Sequence, residues 1–203
     1  MRPITRITSP MVPLPRQDIN TDDIIPAIYL KSTNRRGLAQ GLFARWRYRP
    51  DGTPDPNFPL NDPRYQGAQI LLTGANFGSG SSREHAVWAL MEWGFRAILA
   101  PSFADIFHSN AVQNGLLPAR ITVETFEALL DWAKAHPSDA VTVDLEQQRV
   151  LLPDGQAFPF DIDAFARMRL LRGLDELDYL LEHIPEIEAF EARREGRAPR
   201  VEP

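Results

Sequence analysis

Between residues 67 and 121 the chain alternates short apolar runs with helical patterns, and that alternation constrains the fold more than any other feature. "AQILLT" is a short apolar run bounded by turn residues, as expected of a buried strand. It is followed by "NFGSGSSREHAVWAL", in which a glycine- and serine-rich loop runs into a helical pattern. Ala86, Leu90 and Trp93 repeat at helical spacing there, and Gly94 ends the pattern. "RAILA" reads as a second buried strand and "SFADIFHSNAVQNG" as a second helix closing at Gly115. Strand, loop, helix, strand, helix is an α/β order, with at least two parallel strands joined by a right-handed crossover.

The flanking regions are less regular. Residues 1–66 are rich in Pro, Arg and Asn and read as loops around short strands, with "DIIPAIYL" as a strand end followed by a helical turn. "DGTPDPNFPLNDPRYQG" is turn chemistry throughout, because Pro54, Pro56, Pro59 and Pro63 are excluded from helix interiors and central strands. "TFEALLDWAKAH" is an amphipathic helix stopped by Pro137. "AVTVDLEQQRVLLPDGQAFPFDI" alternates and breaks at "PDG", which predicts an antiparallel hairpin or meander. The rest is helical. The expected organisation is one domain over residues 1–185, with a basic, proline-rich loop region at 31–66 and a charged tail at 186–203.

Charge and composition narrow the function classes. With 22 Lys and Arg against 27 Asp and Glu, the net charge of −5 argues against a general nucleic-acid binder, which needs a basic excess. The absence of cysteine removes disulfides, a thiolate nucleophile and any iron–sulfur cluster held by the chain's own thiolates. No signal peptide or membrane span is visible, since "AVWALMEWGFRAILA" is interrupted by Glu92 and Arg96. A soluble, cytoplasmic protein is expected.

The glycine-rich loop lies where α/β proteins place ligands, after a strand and before a helix. Ser81 followed by Glu84 fits the capping box S-x-x-E, which makes Ser81 the expected N-cap. Gly78 and Gly80 permit positive φ and close approach of the backbone. Arg83 in the first turn opposes the helix dipole, as if held there to meet an anion. A plain capped helix with a solvated arginine fits the same spacing, and spacing alone leaves both open. The loop is neither a P-loop nor a nucleophile elbow. A second feature is local: from Ile24 to Pro50 there is no Asp or Glu, yet Lys31, Arg35, Arg36, Arg45, Arg47 and Arg49 occur among Phe43, Trp46 and Tyr48. This is either a solvated or partner-binding loop or a source of guanidinium forks for a ligand with several carboxylates.

"NFGSGSSREHAVWAL", "GFRAILAPSFADIFHSNAVQNGLLP" and "NTDDIIPAIYL" together resemble the small subunits of 3-isopropylmalate dehydratase, counterparts of the swivelling C-terminal domain of aconitase. The likeness extends to "LNDPRYQGAQILL" and "FDIDAFARMRLLRGLDEL" and so covers nearly the whole chain. One departure is Ser79, where leucine-pathway members usually carry Cys and aconitases carry a different residue. The resemblance implies a three-layer β/β/α swivelling domain with an added antiparallel hairpin and C-terminal helices. It implies a hydro-lyase of leucine biosynthesis that removes water from a hydroxy-dicarboxylate and adds it back in the opposite sense. A [4Fe–4S] cluster serves as Lewis acid in that family, and with no cysteine here it is expected on a partner large subunit, with none bound by this chain. The other implied partner is a small dicarboxylate substrate, with no nucleic acid and no membrane.

Carried over by position, Ser81 is the general base and Asp22 an orienting carboxylate, while Asp23 is ordinary. Arg83, Arg35, Ser82, Gly80 and Leu30 are substrate-binding, with Arg36 the rival of Arg35. Glu84 and His85 orient neighbouring groups. Ile28, Leu30 and Leu38 are candidates to contact an isopropyl group. His108 and Asn110 read as packing residues or as supports behind the site, and Phe103, Phe107 and Trp93 as core. The alternatives are the small subunit of a homoaconitase or citramalate-type hydro-lyase and, from another class, a non-catalytic anion- or RNA-binding module.

Overall fold

The structure, a computed structural model, describes residues 1–30 and 36–195. In chain order it runs β1 (Arg6–Ser9), β2 (Met11–Leu14), a single turn α1 (Thr21–Ile24), a second short turn α2 (Ala44–Arg47) and β3 (Ile70–Thr73). Next come α3 (Glu84–Trp93), β4 (Ala97–Ala100), α4 (Asp105–Asn114), β5 (Leu117–Arg120) and α5 (Val123–Ala135). The chain closes with β6 (Val141–Asp144), β7 (Arg149–Leu151), β8 (Ala157–Pro159), α6 (Ala164–Arg172), α7 (Glu176–Glu182) and α8 (Ile184–Glu195).

The strands form two sheets. One is parallel in the order β2-β3-β4-β5; the other is antiparallel in the order β1-β6-β7-β8. Alternation along the parallel strands explains the layering, because successive side chains leave a strand on opposite faces. Leu71, Ile98 and Ala100 join Ala86, Val87, Ala89 and Leu90 of α3 in one core. Ile70, Leu72, Ala97 and Leu99 join Val141, Val143 and Val150 of the antiparallel sheet, with Leu129 of α5 and Leu170 of α6, in the other. The parallel sheet is therefore covered on both faces, which is why its central strands read as unbroken apolar runs. The result is the expected β/β/α arrangement.

Two local expectations are corrected. "DIIPAIYL" holds no strand: Asn20 caps α1, accepting from the Asp23 N–H at 2.9 Å, while the Asp23 carboxylate accepts from the Asn20 N–H at 3.2 Å. The chain then leaves through extended Ile25 into a short 3-10 turn at Ala27–Tyr29. The parallel sheet has four strands, in keeping with the expected minimum of two, and β2 and β5 are the ones added to the clear pair. Finally, α3 starts at Glu84 with Arg83 at the cap position and no side-chain cap, so Ser81 is not its N-cap. Among the described residues no helix is long and apolar enough to cross a membrane.

Candidate active site

The glycine-rich loop runs from the end of β3 to the start of α3 and is stitched to the segment that enters α1. The Gly78 N–H donates to the Ile19 carbonyl at 2.8 Å and the Thr21 N–H to the Ser79 carbonyl at 2.8 Å. The Thr21 hydroxyl donates to the Ser81 carbonyl at 3.0 Å. Gly78 has φ +80, and a Cβ there would lie 2.2 Å from Phe107 Cγ, so the loop crosses the aromatic ring where only glycine fits. Gly80 has φ +90 and stands exposed beside Asn20 and Thr21.

This stitching brings two sequence-predicted residues together. Arg83 Nη1 donates to Asp22 Oδ1 in a hydrogen-bonded ion pair between the cap of α3 and the first turn of α1. The Arg83 bond holds the Asp22 carboxyl below its ordinary value of 3.8. A guanidinium has five N–H donors, and Nη1 alone is engaged among the described residues, which leaves the Nε/Nη2 edge to receive another carboxylate as a fork. Ser81 and Ser82 lie beside this pair and are exposed, and among the described residues the Ser81 hydroxyl has no hydrogen-bond partner in the chain.

The other predicted residues separate into roles. Glu84 accepts from Asn114 Nδ2 at 2.8 Å, and Asn114 Oδ1 accepts from Trp88 Nε1 at 3.0 Å, so Glu84 ties α3 to α4. His85 packs on Trp88 with ring centroids 4.7 Å apart. Leu30 is half-buried against the core. Leu38 is 2% exposed inside the core and is removed from the candidates for substrate contact, while Ile28 is 70% exposed. Arg35 lies outside the described residues; Arg36 is exposed. Asp23 closes the α1 capping box and stands 3.7 Å from Arg45, a structural duty.

The basic segment is partly structural as well. Arg47 donates to the Ala39 carbonyl at 2.9 Å and to Asn61 Oδ1 at 3.1 Å, and lies over the Trp93 ring at 4.2 Å. Arg49 faces Asp55 at 4.0 Å. Sequence reasoning missed Glu92, whose carboxylate accepts from the Gly37 and Ala39 N–H groups at 2.6 and 2.8 Å and fastens the basic segment to the last turn of α3. It also missed Thr21 and Asn114; the run "NTDD" carried a signal for the first, as an Asn-x-x-Asp cap around a threonine.

Two cavities lie near this region. One of about 460 Å³ is lined by Pro26, Ile28, Tyr29, Ala44, Arg45 and Tyr48, and none of the loop residues 74–83 lines it. The other, about 260 Å³, lies at the C-terminal ends of β4 and β5 and contains none of the predicted site residues; its Arg120 is paired to Asp161. The donor set of the chain does not fit an iron–sulfur cluster, whose thiolate ligands it lacks. Among the described residues no group of three or more His, Asp or Glu side chains is placed to hold a metal ion.

Comparisons with known proteins show the family and the fold. The family "Aconitase C-terminal domain" matches residues 1–124, and "LeuD_N" matches residues 127–164. The chain is 51% identical to the 3-isopropylmalate dehydratase small subunit of Roseiflexus sp. (strain RS-1), over 97% of each chain. It is 53% identical to the small subunit of the same name from Chloroflexus aurantiacus, over 95% of this chain and 96% of that one. The crystal structure of 3-isopropylmalate dehydratase from Methanocaldococcus jannaschii superposes with a TM-score of 0.66 at 26% identity, covering 92% of this chain and 99% of the other. With a family match over more than half its length and near-full-length relatives at about half identity, the chain belongs to the 3-isopropylmalate dehydratase small subunits of the aconitase family.

Proposed function

We propose that this chain supplies the proton-transfer and carboxylate-gripping half of a 3-isopropylmalate dehydratase, a hydro-lyase that interconverts 2- and 3-isopropylmalate in leucine biosynthesis. The observation that carries this reading is the convergence of Asp22, Ser81 and Arg83, half-buried apart from the exposed Ser81, through the contacts of residues 19–22 with 78–83. Arg83 takes a substrate carboxylate on its free guanidinium edge while Asp22 fixes the plane of that guanidinium. Ser81 takes the proton from the carbon beside the carboxylate. Hydroxide leaves the neighbouring carbon, so that together one water is lost; a proton and a hydroxide then return with their carbons exchanged, which gives the isomer.

An unperturbed serine hydroxyl is too weak an acid for this work, and the N-cap bonds that would have stabilised its alkoxide are not formed. The stabilising field in this chain comes from the Arg83 guanidinium and the positive end of α3. The iron–sulfur cluster that supplies Lewis-acid chemistry to the leaving hydroxyl belongs to a partner large subunit, and we assign the assembled enzyme to the cytoplasm. Isolated, the chain is inactive on this reading.

The test is reconstitution with a cluster-bearing large subunit and kinetics on isopropylmalate, homoaconitate and citramalate-type substrates. Preference for isopropylmalate supports the assignment, and clear preference for homoaconitate overturns it. Pockets that differ by one methylene separate substrates by only about 1–3 kcal/mol, so the ratio of kcat/KM values is the quantity to compare.

A further inference from the structure

Thr21 is a small polar side chain, 2% exposed, in a position where nothing in the proposed chemistry calls for a hydroxyl. A buried hydroxyl is retained when it has a partner, and here the partner is the main chain of the serine loop. Thr21 makes two bonds to that loop: its N–H to the Ser79 carbonyl at 2.8 Å and its Oγ1 to the Ser81 carbonyl at 3.0 Å. These are alternate carbonyls, so both of their peptide planes are oriented by one residue.

All peptide bonds described are trans, and in a planar trans peptide the N–H points opposite to the C=O. Fixing the Ser79 carbonyl on Thr21 turns the Gly80 N–H away from α1, and fixing the Ser81 carbonyl does the same for the Ser82 N–H. Gly80, Ser81 and Ser82 are exposed, and among the described residues neither N–H finds an acceptor in the chain. Gly80 lies close to the clamp, since a Cβ there would stand 3.7 Å from Thr21 Oγ1. We propose that Thr21 is a positioning residue of the active site, holding the loop so that the Gly80 and Ser82 N–H groups flank Ser81 and meet a carboxylate oxygen of the substrate.

This inference rests on the hydro-lyase reading, and the experiment separates the two. The wild-type chain and its Thr21→Val and Thr21→Ser variants are reconstituted with the large subunit and assayed on isopropylmalate well below their unfolding transitions. Thr21→Val keeps the shape and loses the hydroxyl; it lowers kcat/KM by about tenfold to a hundredfold, since small misplacements of reacting groups cost that much. Both kcat and KM move. Thr21→Ser keeps the hydroxyl and stays near wild type. If wild type is itself inactive, the hydro-lyase reading fails. If wild type is active and Thr21→Val matches it, or only melts earlier with unchanged kinetics, the positioning role is overturned. Should Thr21→Val fail to assemble, amide exchange on the wild-type full chain decides: the account requires a protected Thr21 N–H and fast-exchanging Gly80 and Ser82 N–H groups, and protection of either of the latter contradicts it.

Discussion

On the proposed reading Arg83 and Lys are not interchangeable, because the guanidinium pairs with Asp22 through Nη1 and keeps its opposite edge for a substrate carboxylate. A lysine ammonium cannot present that fork. Arg83→Lys is expected to lose one charge-assisted pair, about 1.5–3 kcal/mol, and so to lower kcat/KM of the reconstituted enzyme about tenfold to a hundredfold. Steady-state kinetics check this. Asp22 gives a pH prediction. Its carboxyl is held below its ordinary 3.8, so the Arg83 pair is fully formed above that value and is lost only as pH falls through the lower folded one. Asp22 therefore does not titrate above about pH 5, and Asp22→Asn changes the height of the kcat/KM profile without moving an acid limb seen above that pH. The same residues show where sequence reading stopped. Ser81-x-x-Glu84 and Asn20-x-x-Asp23 have the same spacing, but only the second is a capping box. The difference is tertiary: the Glu84 carboxylate is taken by Asn114 of α4 and the Ser81 carbonyl by Thr21, so the helix starts at Glu84 instead.

At the scale of elements, the loop between β3 and α3 is held by glycine at one point and by φ alone at another. Gly78 faces Phe107, whose ring meets Phe77 edge-on at 5.0 Å and stacks on Phe103 at 6.3 Å. Gly78→Ala adds a clash with that cluster to the positive-φ penalty and is expected to cost about 2–4 kcal/mol, read by chemical denaturation. Gly80→Ala meets nothing closer than 3.5 Å and carries the backbone penalty of about 1–2 kcal/mol. The central strands β3 and β4 and helices α3, α4 and α5 were legible because their apolar periods are unbroken. The edge strands β2 and β5 were not, because each contains a proline, Pro13 and Pro118. Proline is tolerated at an edge, where one side of the strand has no ladder to complete, and the same residue hides the strand from a reading by pattern.

For the whole molecule, two cores on either side of the parallel sheet set the fold, and the candidate site lies outside both, with Ser81 and Ser82 exposed and Arg83 half-buried against Asp22. Its exposure was not legible from sequence, since the resemblance supplies residue roles but not which groups the chain leaves without internal partners. Stability carries a pH signature from His108, half-buried at the ends of β4 and β5. Burial lowers its pKa from 6.5, against the opposing pull of Asp163 and Asp105. The folded state thus resists its protonation, and stability is lost as pH falls from 6.5 toward the folded value. Thermal melts at about pH 7.5 and 5.5 are expected to differ less for His108→Gln than for wild type. The central claim is that this chain brings the base and its partner subunit brings the Lewis acid. Its most direct measurement is wash-in of solvent deuterium at the substrate carbon beside the carboxylate, by the reconstituted enzyme carrying Ser81→Ala. The account predicts assembly and substrate binding with exchange slowed about a hundredfold or more; exchange at the wild-type rate would contradict it.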